Sequence, residues 1–121
     1  MAKTYSLIFG VAFLIIALLE VSFQSVVGSV IFYAPIHNAF HWALAVLGVV
    51  SFVSGIEGAR LYAKISGLVF LAAFVIGIAF PFMLVNFTGY PANNFYNVVY
   101  LIAGLFGVYV GFFAKDPQGV I

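Results

Sequence analysis

Long apolar runs separated by short polar breaks dominate the chain. The runs cover about residues 5–26, 38–55, 61–85 and 94–114. The breaks carry turn chemistry: Tyr33-Ala34-Pro35, Gly55-Ile56-Glu57-Gly58 and Asn86 through Pro91, with Lys115-Asp116-Pro117-Gln118-Gly119 closing the last run. A hydrocarbon layer ~30 Å thick takes about 20 helical residues, so each run predicts one membrane span. Backbone amides in lipid must be paired within their own segment, which makes the spans helices. The runs show no alternation of period two, which argues against a β-barrel. The expected fold is therefore all-α. Residues 1–121 form one transmembrane domain, a left-handed four-helix bundle.

The second half of the chain resembles the first. A shift of 57 brings Tyr5 onto Tyr62, Gly10 onto Gly67 and Phe13 onto Phe70. A shift of 56 brings Pro35 onto Pro91, Asn38 onto Asn94, His41 onto Asn97, Gly48 onto Gly104 and Gly55 onto Gly111. The change of shift reads as one inserted residue in the first external loop. Two tandem helical hairpins of the same orientation are expected, related by an axis along the membrane normal. In the even-numbered spans Asn38 and Asn94 are good helix N-caps. Positions 41, 48 and 55, and equally 97, 104 and 111, are spaced by heptads and share a face. Gly48, Gly55, Gly104, Gly107 and Gly111 let backbones approach closely there, which predicts helix-packing faces.

Composition narrows the class. Apolar residues make up 66% of the 121 and charged residues 6%, far below the ~25% of soluble domains. A water-soluble globule, a disordered chain and a nucleic-acid binder are excluded. Without cysteine there is no disulfide, thiolate nucleophile or thiolate-bound metal. Lys3, Arg60, Lys64 and Lys115 fall at junctions on one side of a four-span topology, whereas loops 27–37 and 86–93 hold no Lys or Arg. The positive-inside rule puts both termini in the cytoplasm. Residues 1–19 have the outline of a cleaved signal, with a basic start and an apolar run. The apolar stretch resumes after Glu20 and has a counterpart in the second half, which favours a resident span.

The start Asn38-Ala39-Phe40-His41 with its continuation through Gly48, and its echo Asn94-Phe95-Tyr96-Asn97 through Gly104, resembles a family of small bacterial four-span membrane proteins, domain of unknown function 4383. The resemblance covers nearly the whole chain. It implies this architecture in a bacterial or archaeal plasma membrane, and no activity. The second copy departs from the pattern, with Asn97 where a histidine would stand.

Polar side chains within a span are costly and need partners. Here they gather towards the external face: Glu20 late in span 1, His37, Asn38 and His41 opening span 2, and Asn94, Asn97 and Tyr100 opening span 4. This predicts a polar cluster above a dry, Gly- and Phe-packed cytoplasmic half. His41 is expected to donate to Glu20 or Asn97, with His37 facing water. His37 and His41, spaced i, i+4, make a weak metal candidate with Glu20. No catalytic residues, cofactor or metal are expected, and the balance is against an enzyme. The leading expectation is a structural or accessory membrane component whose partners are the bilayer and a second copy or larger membrane complex. The alternative is a protein that binds or transports a small ligand, lipid, quinone or proton at the polar cluster. The third is a metal-dependent membrane enzyme.

Overall fold

The computed structural model describes residues 1–23, 35–88 and 94–115. Expectations that fall on the end of the first run at 24–26, on Tyr33, Ala34 and Pro91, and on the tail after Lys115 lie outside these residues. The described chain is helical, without a strand: α1 Ala2–Phe23, α2 Pro35–Ser54, α3 Ile56–Ala79, α4 Pro81–Thr88 and α5 Asn94–Val108, the last running on as a π-helical turn over Tyr109–Phe113. Four segments are long and apolar enough to cross a membrane: Ala2–Ser22, Pro35–Ser54, Ile56–Ala79 and Asn94–Phe113. At 1.5 Å per residue each reaches about 30 Å or more, the thickness of the hydrocarbon layer. Large apolar side chains point outward all along them, Val53, Leu61, Ile102 and Phe113 among them. Water would penalise such a surface and lipid solvates it.

Helix boundaries depart from the sequence pattern in three places. The apolar run 61–85 is not one helix. Pro81 has no N–H for the Gly77 carbonyl and disfavours helical geometry at the residue before it. Phe80 accordingly sits at φ −137°, ψ 63°, and α4 starts afresh at Pro81. Asn38 does not cap α2, which begins at Pro35, where a proline at the first helical position costs no hydrogen bond. Gly55 does not pack a helix face. It stands alone between α2 and α3 at φ 109°, with nothing within 4 Å of where a Cβ would be. Its role is the turn, since that backbone conformation suits glycine.

Two close crossings hold the helices together. At Gly10 of α1, an added Cβ would lie 2.9 Å from Val49 N, 3.1 Å from Gly48 C and 3.2 Å from Ala45 O. At Gly67 of α3, it would lie 2.5 Å from Val108 N, 2.7 Å from Gly107 C and 3.1 Å from Gly104 O. The α1–α2 and α3–α5 pairs thus meet through the same atoms at the same spacing. Without side chains at these points the backbones touch, and dispersion replaces the hydrophobic drive that lipid cannot supply. Gly104 packs on Leu71 and Gly111 on Lys64, so both serve close approach as expected. Helix α3 is the central element, with its buried residues Ala59, Tyr62, Ala63, Ser66, Gly67, Phe70 and Gly77 following the helical period along one side.

The crossings pair Gly48 with Gly107, three residues away from the Gly48–Gly104 pairing read in the sequence. In this register Asn38 matches Asn97, His41 matches Tyr100 and His37 matches Tyr96.

The basic side chains gather at one end. Lys3 Nζ lies 5.1 Å from the Phe52 ring centre, and Lys64 Nζ lies 5.1 Å from that of Phe112. Between these ends and the middle, Tyr5 shares a 3.0 Å hydrogen bond with Ser66, and Tyr62 Oη donates to Leu44 O at 2.8 Å.

Candidate functional site

At the opposite end from the lysines, α1 and α2 enclose a carboxylate. Glu20 lies ten residues beyond Gly10, and Asn38 ten before Gly48. The helices are antiparallel, so both stand about 15 Å from the crossing and at the same level. Glu20 is 1% exposed. Its Oε1 accepts from Asn38 Nδ2 at 3.1 Å and lies 2.7 Å from His41 Nδ1, whose N–H donates to it. Asn38 Nδ2 also reaches Ala17 O at 3.2 Å, which locks the amide between two turns of α1. A buried carboxylate needs such donors, because an unpaired charge in this medium would be prohibitive.

His37 is a turn earlier on the same face of α2. It is buried rather than facing water, and its ring stands edge-on to that of His41 with centres 4.3 Å apart. Its Nε2 lies 3.4 Å from Tyr100 Oη, a long hydrogen bond that ties α2 to α5. Donor atoms of Glu20, His37 and His41 all lie within 4.8 Å of one another.

The structure does not bring all the expected residues together. Asn94 is exposed at the start of α5. Asn97 joins neither Glu20 nor His41. Its Oδ1 is buried without a hydrogen-bond partner among the described residues and lies against Gly77 of α3. Gly77 and Asn97 stand ten residues from Gly67 and Gly107, so they occupy in α3–α5 the level that Glu20 and Asn38 occupy in α1–α2. The α3–α5 pair has an amide at this level and a glycine where the α1–α2 pair has the acid. The polar site is therefore built by one hairpin, with Tyr100 contributed by the other.

Sequence reasoning missed what lies below the cluster. A slot of about 530 Å³ opens between α1 and α5. His37, His41, Tyr96 and Tyr100 line one end. The rest is apolar, with Phe9, Phe13 and Phe70 forming part of its wall and Ala12 and Ala103 leaving it room. Aromatic contacts run down from the polar end: His41 on Phe13 at 5.3 Å between centres, Phe13 stacked on Phe70 at 5.7 Å, and Phe70 stacked on Tyr100 at 6.3 Å. Phe106 packs on Tyr5 and Phe9 at the other end of the slot, with centres at 5.6 and 6.4 Å. The small residues Ala12 and Ala103 were the available signal, but which helices face each other is not written in any one helix.

No family profile, curated protein or solved structure matches the chain, so the resemblance drawn from its Asn/His/Gly starts has no independent support.

Proposed function

We propose that this is an integral protein of a bacterial or archaeal plasma membrane that holds one amphiphile of the lipid phase, with an apolar body and a hydrogen-bonding head of the quinone or phenol type. The carrying observation is the slot itself: an apolar channel of about 530 Å³ with all its hydrogen-bonding groups at one end. Ligand sites of ~300–1,000 Å³ lined by apolar and aromatic side chains, with a few placed polar groups, are the general pattern. The slot lies between two spans, so a ligand reaches it from the lipid. The surface that faces the slot is almost wholly apolar, so a carbonyl or hydroxyl head would reach Tyr100 and the two histidines as their rings turn towards it. The buried Glu20–His41 pair behind them fixes the imidazole and offers a proton acceptor in the same network.

The same reading makes the chain a bundle of two duplicated hairpins. The matching atoms of the Gly10 and Gly67 crossings support duplication in the register that pairs Gly48 with Gly107. The basic end, with Lys3 and Lys64, faces the cytoplasm together with both termini, and the Glu20 cluster lies near the external face.

Filling the slot tests the proposal. Ala103→Phe occupies apolar space without touching the polar end. Wild-type protein in nanodiscs should be thermally stabilised by a short-chain quinone and not by an alkane of equal length. Ala103→Phe should keep its fold and lose the stabilisation. Equal response of both proteins, or none across quinones, phenols and lipids, would remove the reading and return the chain to a structural or accessory component.

A further inference from the structure

We infer that Glu20, His37 and His41 form a binding site for one divalent zinc-class cation at the head of the slot. The donor set is two imidazoles and one carboxylate, with no thiolate anywhere in the chain, which suits Zn²⁺ and not soft Cu(I). The three donor atoms lie within 4.8 Å of one another. Metal–ligand bonds of ~2.0–2.2 Å put tetrahedral ligand atoms roughly 3.4 Å apart, so side-chain rotation alone closes the set. His37 and His41 stand i, i+4 on one face of α2, the spacing at which two ring nitrogens reach one ion.

Three further features separate this trio from a chance cluster. Glu20 and His37 are buried and His41 nearly so, so their charge and dipoles act in a low dielectric. Asn38 Nδ2 bonds both Glu20 Oε1 and Ala17 O, which orients the carboxylate as an outer partner orients a metal ligand. His37 and His41 also line the slot, so a fourth ligand of the ion would come from that side. The sequence alone made these three residues a weak candidate for a metal, because i, i+4 spacing could not show how near Glu20 comes to both histidines.

The inference goes beyond the proposed amphiphile binding and stands or falls separately. Purified wild-type protein is stripped with a chelator and titrated with Zn²⁺ by calorimetry and with Co²⁺ by visible absorption. One ion per chain is expected, with the intense visible bands of tetrahedral Co²⁺. His37→Gln and Glu20→Gln should each abolish both signals, and Asn38→Ala should weaken binding about 10-fold. A cooperative thermal transition in chelator, at whatever midpoint, certifies that each variant is folded, and one folded ligand variant suffices. No binding by wild type, or binding that survives in a folded ligand variant, overturns the inference. Quinone stabilisation is measured on the stripped protein in parallel: its retention without metal leaves the amphiphile reading intact while the metal site fails, and its loss with metal binding intact does the reverse.

Discussion

Replacing Gly67 by alanine tests the packing logic at its tightest point. The added methyl would sit 2.5 Å from Val108 N, 2.7 Å from Gly107 C and 3.1 Å from Gly104 O. All three are backbone atoms of α5, so no side chain can swing away. Contact between heavy atoms is optimal at ~3.5–4.0 Å, so α3 and α5 must separate by about 1 Å, and a gap of that size forfeits a quarter to a half of each contact along the crossing. Overpacking of this kind costs ~1–3 kcal/mol, and the rigid backbone on both sides puts Gly67→Ala near the upper end, at about 3 kcal/mol. At Gly10 the nearest atom is Val49 N at 2.9 Å, so Gly10→Ala should cost less. Gly58 is the looser comparison: an added Cβ would lie 3.0 Å from Ser54 Cβ at the end of α2, with Ser51 O next at 3.5 Å. There alanine also gains helix propensity of about 1 kcal/mol, so Gly58→Ala should be close to neutral. Equilibrium unfolding in mixed micelles of graded SDS content, followed by the fluorescence of the single tryptophan, Trp42, gives the three values. Gly67→Ala within ~0.5 kcal/mol of wild type, or no worse than Gly58→Ala, would refute the claim that bare backbone contact joins these helices.

Two other perturbations address the site and the topology. Glu20→Ala strips His41 and Asn38 of their shared acceptor and should destabilise by about 2 kcal/mol in the same unfolding assay, with Glu20→Gln milder because its amide oxygen still accepts from Asn38; equal stability of Glu20→Ala and wild type would count against a buried, bonded acid. Since the chain has no cysteine, single cysteines are clean topology probes: a membrane-impermeant maleimide added to intact cells should label Asn94→Cys and leave Lys115→Cys untouched until the membrane is opened, and the opposite pattern would invert the orientation.

Much of this was legible along the chain, and the losses have physical causes. Span number and approximate limits followed from runs of apolar residues, because lipid imposes one length on every helix. Glu20 and His41 were paired correctly because a costly group late in span 1 and another early in span 2 must share a level in an antiparallel hairpin. Asn97 failed by the same argument: it has the right level but lies on α5, against Gly77, with its amide turned to a different helix. Pro81 was overlooked because the apolar count continued past it to Val85, although a missing N–H breaks a helix whatever its hydropathy. Gly55 was assigned both to a break by its turn chemistry and to a packing face by spacing; its open surroundings and positive φ bear out the first and not the second. The repeat remains a proposal, and its register was not legible: glycines in apolar sequence offer several, whereas the atoms meeting at each crossing match in the one that pairs Gly48 with Gly107. The slot had no sequence signature, since it arises where α1 and α5 fail to close on each other.

A structure of the protein in nanodiscs with a short-chain quinone present decides whether the slot is a ligand site. The ligand should lie between α1 and α5, its ring oxygen within hydrogen-bond reach of Tyr100 or His37 and its tail along Phe9, Phe13 and Phe70. A closed slot with Ala12 packed on Ala103, or a ligand bound elsewhere with Glu20 turned away from His41, would contradict it.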